Sequence, residues 1–188
     1  MTFQQLTPTF SSIIEWVRKA ATLINQIASA LSGLLVWQTQ ATGWANYSDS
    51  GATQTVTANV NTVLQNNAAS VIDDQKPSDV PTFYDGSRIR ALQNDSLAVL
   101  LEFTFTPSDD TASMITAWVE IGGAFGPLFP QAFSITSGSG MPFRVLHLFN
   151  CYVGATWAAN GALPIIRVDG PGTITARRYL INRLHRGR

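Results

Sequence analysis

Residues 10–38 read FSSIIEWVRKAATLINQIASALSGLLVWQ, and this stretch decides how the chain is organised. Alternating steps of four and three residues connect seven apolar side chains without a break. These side chains are Ile13, Val17, Ala20, Ile24, Ile27, Leu31 and Leu34. A period of 3.5 residues is typical of helices that wind around one another. The stretch therefore predicts a coiled-coil helix over residues 10–38.

The identity of the apolar side chains favours three strands over two. Val17, Ile24 and Leu31 take the a positions of the heptad, and isoleucine recurs at the d positions. Isoleucine at both positions, or leucine at a beside isoleucine at d, shifts coiled coils toward trimers and tetramers. A dimer usually carries charges beside the core, whereas Trp16 and Leu23 widen the apolar stripe here. We therefore expect a homotrimer that forms through this helix.

Two other interpretations of the helix stay open. A helix with a broad apolar stripe can also dock on its own domain. The run from Ala20 to Ser48 has no charge, so a membrane span is the second possibility. Polar residues interrupt that run well before the roughly 20 apolar residues that a span needs. No short apolar core with a cleavage site lies near Met1, so we expect a soluble chain without a signal peptide.

The composition limits the classes of function. The chain has 188 residues, which suits one domain and an appendage, and only 13% of them are charged. So little charge suggests that other copies or partners cover much of the surface. The net charge of zero gives no general case for nucleic acid or membrane lipid. The single cysteine, Cys151, excludes an internal disulfide framework and is expected to be a buried, inert thiol.

The residues before the helix form an uncharged segment, MTFQQLTPT, at positions 1–9. We interpret this segment as an extended arm that attaches the chain to a larger assembly. Phe3, Leu6 and Phe10 are its candidate contact residues, because large apolar side chains suit a groove on a partner better than solvent. A disordered terminus has the same composition, so this alternative stays open.

From Trp44 onward the pattern changes to short strands separated by turns. The predicted strands cover residues 53–60, 62–64, 87–92, 97–106, 114–121, 129–136, 143–153, 162–168 and 173–184. No helical period follows Gln38. Short strands at this spacing predict a jelly roll or related β-sandwich over residues 44–188. The fold class is therefore mainly β, with an N-terminal trimeric coiled-coil helix followed by a jelly-roll β-sandwich.

The search for catalytic residues finds little. The two histidines, His147 and His185, are not paired with each other or with a cysteine, so we expect no metal, no cofactor and no catalytic residue. Two aspartate pairs in predicted turns could bind Ca²⁺ or take part in glycoside hydrolysis: Asp73 with Asp74, and Asp109 with Asp110. Adjacent acids in loops are more often solvated turns. The arginine-rich C-terminal third is assigned to intersubunit or solvated roles.

Three longer segments carry a resemblance to a known family. They are TQTVTANVNTVLQNN at residues 53–67, FYDGSRIRALQNDSLAVLLEFTFTP at 83–107, and FRVLHLFNCYVGATWAANGALPIIRVDGPGTITARRYLINRLHR at 143–186. These segments follow a helix that contains Leu23, Ile24 and Asn25. In sequence pattern and in order along the chain they resemble the small trimeric head domains of tailed-bacteriophage fibres. Those domains are jelly rolls like that of tumour necrosis factor. The most specific parts are the segment from Trp157 to Ile165 and the closing strand that ends in Ile181, Asn182 and Arg183.

The resemblance implies a structural protein of the virion and no enzyme. A helix of about 29 residues reaches only about 40 Å, which favours a homotrimeric short tail fibre over a long one. A capsid-decorating head fibre or cement protein is the alternative, and a polysaccharide-degrading tail enzyme is a weaker third possibility. The implied partners are other virion proteins of tail or capsid and a host surface glycan, without nucleic acid or membrane insertion.

We further expect the arm and helix to attach the trimer to the particle while the β-domain faces outward. The turns farthest from the helix would then meet the host. Three turns are candidates: Asp85 with Gly86, residues 107–110 and residues 137–140. The receptor-binding residues themselves are not identified by the sequence.

Overall fold

The computed structural model describes residues 10–136 and 138–186, with side-chain surroundings given except at residues 10–11 and 34–41. Phe3 and Leu6 lie outside the described residues, and the side chains of Phe10 and Leu34 lie outside the described surroundings. The chain divides between Thr39 and Gln40 into two compact units. We call them the helical unit and the β unit.

The helical unit contains nearly all of α1, which runs from Phe10 to Ala41 and ends two residues inside the β unit. The segment has no proline and only one glycine, and most of its residues are good helix formers. Its 32 residues give a length of about 48 Å. The helix ends at Ala41, three residues beyond the predicted end at Gln38. Gly43 follows with a φ of +152°, and a Cβ there would lie 2.3 Å from the Gln75 carbonyl oxygen. Only glycine fits that position.

The β unit consists of ten strands and one short helix. The strands are β1 (Gly43–Ser48), β2 (Gln54–Val56), β3 (Thr62–Val63), β4 (Ser70–Ile72), β5 (Ser96–Pro107), β6 (Met114–Glu120), β7 (Leu128–Ser134), β8 (Phe143–Tyr152), β9 (Leu163–Val168) and β10 (Gly172–His185), and the helix is α2 (Ala155–Asn160). All paired strands are antiparallel.

The strands form two sheets. Sheet A has the order β4-β1-β10-β5-β8, with β2 added beside β10, and sheet B has the order β3-β9-β6-β7. The chain alternates between them from β5 onward, because β5, β8 and β10 belong to sheet A while β6, β7 and β9 belong to sheet B. This alternation is the connectivity expected of a sandwich closed by loops at both ends.

The core lies between the sheets and follows from alternation along the strands. In β5 every second residue is buried, and Leu97, Val99, Leu101, Phe103 and Phe105 point inward. The same alternation in β8 buries Val145, His147, Phe149 and Cys151. Because side chains alternate with a period of two, the residues between them occupy the outer face of sheet A.

Three local predictions for the β unit are wrong. No helical period was expected after Gln38, yet α2 forms and buries Trp157. Residues 87–92 contribute only the isolated bridges of Ile89 with Tyr84 and Ala162 instead of a strand. The predicted strand set also omitted β1 and β4, although β1 pairs with both β4 and β10 inside sheet A. Six residues or fewer carry too little periodicity to identify such elements, so tertiary pairing decides them.

The buried arginines correct the expectation for the C-terminal third. Arg183 is fully buried and pairs with Asp79 at 2.7 Å and with Asp95 at 3.5 Å. Arg177 is also buried and pairs with Asp49. Burial alone would raise the pKa of Asp79, but the hydrogen bond and charge of Arg183 outweigh it and lower that pKa. These two arginines therefore form ion pairs within their own chain instead of facing solvent or another subunit.

Replacing Arg183 with methionine should destabilise the β unit by about 3–5 kcal/mol, because it removes the buried cation that Asp95 and Asp79 share, although Arg186 still pairs with Asp79 at 3.2 Å. The matched control is Arg90→Met, which breaks the more exposed pair with Asp85 and should cost less than about 1 kcal/mol. Urea unfolding of both variants measures the difference. Equal losses in the two variants would contradict the role given to the buried cluster.

Candidate functional site

The first candidate surface is the predicted coiled-coil interface of the helical unit. Its described large apolar side chains are exposed: Ile13, Val17, Ile24, Ile27 and Leu31. Ile24 is 64% exposed and Leu31 is 58% exposed. Ala20, the smallest member, is partly exposed. Residues spaced by three and four lie on one side of a helix, so these side chains form a continuous apolar row.

The charges of α1 lie away from this row. Glu15, Arg18 and Lys19 are the only charged residues of the helix, and they fall at the f, b and c positions of the heptad. Glu15 and Lys19 form an i,i+4 ion pair of 2.9 Å on that outer side. Trp16, at a g position, is 70% exposed and extends the apolar row. The helix therefore has one charged side and one broad apolar side.

The membrane alternative for this helix finds no support in the described residues. None of the helices in that part of the chain is both long enough and apolar enough to cross a membrane.

A second apolar surface lies on the outer face of sheet A. Leu180, Leu100 and Leu148 are register partners and form a row across β10, β5 and β8. Leu148 is 64% exposed, and Leu146 and Tyr152 on the same face of β8 are also exposed. We call this surface the leucine face. Arg144, Leu146, Leu148, Asn150 and Tyr152 share this outer face of β8 because side chains alternate along the strand.

Charged groups border the leucine face where Glu102 lies. Glu102 accepts from Arg144 at 2.5 Å and lies 3.7 Å from Arg178. A groove of about 310 Å³ lies on the β10–β1 side of the face and is lined by Trp44, Arg178, Leu180 and Asn182. The face therefore combines an apolar centre, a groove and an ion-paired rim, which is the anatomy of a protein–protein contact surface.

The two ends of the sandwich differ in what they present. Gly43, where the chain enters the β unit, pairs with Arg183, and Ser96 pairs with Tyr152 and His185. We call this the entry end. The far end contains the turn after β5, residues 107–113, and the described part of the turn before β8, residues 135–136 and 138–142. The topology thus places two of the candidate turns at the far end and the third one elsewhere.

Two of the three candidate turns meet at the far end. The Ser139 backbone N–H donates to the Asp110 carboxylate at 2.7 Å, and its hydroxyl donates to the Ser108 carbonyl at 3.0 Å. The Gly140 N–H donates to the Pro107 carbonyl at 2.8 Å. The two turns are therefore one interlocked surface. Exposed Met141 lies within it.

The third candidate turn, Asp85 with Gly86, lies elsewhere. The Asp85 carboxylate accepts from the backbone N–H groups of Ser87 and Arg88, and Ile89 bridges to Ala162 just before β9 begins. That position is toward the entry end. A shallow cleft of about 270 Å³ beside the turn is lined by Val63, Gln65, Asn66, Asn67, Tyr84, Gly86 and Ser87.

The aspartate pairs do not form a catalytic arrangement. Asp73 and Asp74 precede Gln75, whose carbonyl accepts from Trp44 near the entry end, whereas Asp109 and Asp110 follow β5 at the far end. At about 3.3 Å per residue, the two pairs are roughly 20 Å or more apart. Glycosidases need carboxyl groups within about 10 Å of one another. Hydrogen bonds from the Thr111 hydroxyl and N–H lower the pKa of Asp109, so this carboxylate caps its own turn.

No metal-binding cluster of three or more His, Cys, Asp or Glu side chains occurs among the residues that the structure describes. Cys151 is buried as expected, and burial raises the pKa of its thiol to about 12. A thiol with so high a pKa stays protonated at neutral pH and is a poor nucleophile.

The sequence analysis did not predict a contact between β7, the edge strand of sheet B, and β8, the edge strand of sheet A. His147 is buried, and its Nε2 lies 2.9 Å from the Phe129 carbonyl oxygen. Phe129 stacks on Phe149 with ring centroids 4.9 Å apart. We call these contacts the β7–β8 seam. The alternation in β8 placed His147 inside, but only the tertiary structure shows its partner.

Comparisons with known proteins extend this description. No family model matches the chain, and no curated protein matches its sequence. Among solved structures, Eiger TNF from S. frugiperda is similar with a TM-score of 0.53 and 12% identity, over 79% of this chain and 96% of that chain. The β unit therefore has a jelly-roll fold like that of tumour necrosis factor.

Two viral structures are also similar, at lower scores. PRD1 vertex protein P5 has a TM-score of 0.43 and 12% identity, over 77% of this chain and 96% of that chain. The infectious bursal virus T=1 particle structure has a TM-score of 0.39 and 14% identity, over 77% of this chain and 32% of that chain.

Proposed function

We propose that the protein is a bacteriophage virion structural protein, a homotrimeric short tail fibre whose β unit contacts the host surface. The observation that carries the proposal is the row of exposed isoleucine and leucine side chains along α1. A helix with such a row needs a partner, and the a and d residues favour two further copies of itself. The resemblance of the sequence to trimeric phage-fibre heads supports placement in the virion.

The leucine face supports assembly of the β unit with its own copies. Trimerisation of α1 would hold three β units at a high effective concentration, so even a weak contact between them would form. Leu148, Leu146 and Leu100 supply an apolar centre for that contact. The chain has only 13% charged residues, and assembly through two apolar surfaces accounts for this composition.

The interlocked far end supports an outward-facing role. Residues 107–113, 135–136 and 138–142 belong to turns at the end of the sandwich opposite to Gly43. Their hydrogen bonds hold the backbone in place, and a prearranged surface binds a glycan at lower entropic cost. The arm at residues 1–9 would then attach the trimer to the particle. A capsid-decorating role uses the same assembly with a different neighbour.

The first test places charges in the α1 row. Ile24→Asp with Ile27→Asp should convert the trimer to monomers, because each position loses about 1.5–3 kcal/mol of burial per chain and gains a charge. Sedimentation equilibrium measures the mass. Thr22→Asp with Ser29→Asp, at f positions of the same helix, is the matched control and should stay trimeric. An unchanged trimer in the first variant would overturn the proposed assembly.

The second test concerns the leucine face. Leu148→Asp should leave the β unit folded, because this side chain is exposed, but should lower the melting temperature of the trimer. Val60→Asp is the control, since Val60 is 50% exposed and lies outside sheet A. Calorimetry combined with mass measurement reports both effects. The same small shift in both variants would show that the leucine face makes no intersubunit contact.

The third test concerns attachment and polarity. Deleting residues 1–9 should leave a trimer that no longer incorporates into particles. Electron microscopy of labelled particles locates the full-length protein, and competition of purified trimer with phage for host cells tests the outward role. Normal incorporation of the truncated protein would contradict the arm as anchor. A capsid location without competition would favour the decorating role.

A further inference from the structure

We propose that His147 is an acid-sensitive latch that holds β7 on the edge of the sandwich and releases it when the imidazole takes up a proton. This inference concerns the β unit alone and does not depend on the proposed virion role. The device would be a local opening of the β7–β8 seam, with the remaining strands kept in place.

The central contact of the latch is a hydrogen bond that connects β8 of sheet A to β7 of sheet B. The Phe129 carbonyl can only accept, so His147 must donate from Nε2 across the 2.9 Å contact. In the neutral ring Nδ1 is then an acceptor, and this buried atom has no hydrogen-bond partner among the residues that the structure describes. On protonation Nδ1 becomes a second donor with no acceptor within reach. The closed seam therefore accommodates the neutral ring and disfavours the charged one.

The strands around the ring supply no compensating charge. β7 contains no charged residue, and the inward neighbours of His147 on β8 are Val145 and Phe149, followed by the neutral thiol of Cys151. The charged side chains of β5, β6 and β8 are Glu102, Glu120 and Arg144.

All three charged side chains alternate with inward-facing residues and therefore belong to the outer faces. Glu102 binds Arg144 on the leucine face, and Glu120 accepts from Trp118 on the outside of sheet B. Among the described residues of these four strands, an imidazolium at position 147 would thus face apolar side chains alone. Burial accordingly lowers the pKa of His147.

The other side of the latch is conformationally strained. Ala117 pairs with Gln131 and Val119 pairs with Leu128, so two residues of β7 oppose one residue of β6 in a bulge. Phe129 is the first bulge residue and has a φ of +55°, a conformation that glycine usually supplies at such a bulge. Release of β7 would remove this strain. The hydrogen bond from His147 and the stacking on Phe149 hold Phe129 in place.

The pH dependence follows from proton linkage. In the open seam the imidazole is hydrated and titrates near its ordinary pKa of 6.5, whereas in the closed seam its pKa is lower. Above about pH 6.5 both states are neutral and opening is independent of pH. Below it the open state binds one proton more, so opening increases up to tenfold per pH unit until the closed state is also protonated.

Hydrogen exchange of the full-length protein between pH 5.0 and 7.5 tests the latch. After correction for the intrinsic exchange rate, amides of β7 bonded to β6 should lose up to tenfold protection per pH unit below about pH 6.5. Amides of β5 should keep their protection, because the opening is local. Most carboxylates stay ionised in this range, so their titration contributes little.

Matched histidine variants assign the effect. His185→Gln, at the exposed end of β10, should keep the pH dependence of β7. His147→Gln should remove it, because an amide can donate to the Phe129 carbonyl without titrating. If this variant is unfolded, the wild-type and His185→Gln profiles still decide the matter. Protection of β7 that does not change with pH, or that falls together with β5, would overturn the proposal.

Discussion

The antiparallel pairing of β5 with β10 is the contact on which the rest of the β unit depends. The two strands run side by side over most of their length, and each carries neighbours on its other edge. Because both alternate, their inner side chains form the core and their outer side chains form the leucine face. One pairing therefore contributes both to the core of the sandwich and to an exposed apolar surface.

The charged side chains have different places in the two units. Arg177 and Arg183 form ion pairs inside the sandwich, where they connect β10 to the loops containing Asp49 and Asp79. The charges of α1 instead lie on one side of the helix and leave its other side apolar. A chain with few charges thus uses some of them internally, and the described side chains of its helix row and of its leucine face are apolar and exposed.

The β7–β8 seam shows a different use of a buried polar group. An apolar side chain at position 147 would pack without a titratable atom, but it could not hold the Phe129 carbonyl. The histidine connects the edge of sheet B to the edge of sheet A at the point where the backbone is strained. Its neutral ring is compatible with burial and its charged ring is not, which makes this edge conditional on pH.

Periodicity and local chemistry were enough to predict α1, the long alternating strands β5 and β8, the sandwich class and the burial of Cys151. The places of β1 and β4 follow instead from long-range pairing, since strands this short are selected by their neighbours. Long-range contacts also bury Arg183 and bring two of the candidate turns together. They place the two aspartate pairs at different ends of the sandwich and the Phe129 carbonyl beside His147. These outcomes depend on contacts between residues far apart in the chain, which periodicity does not encode.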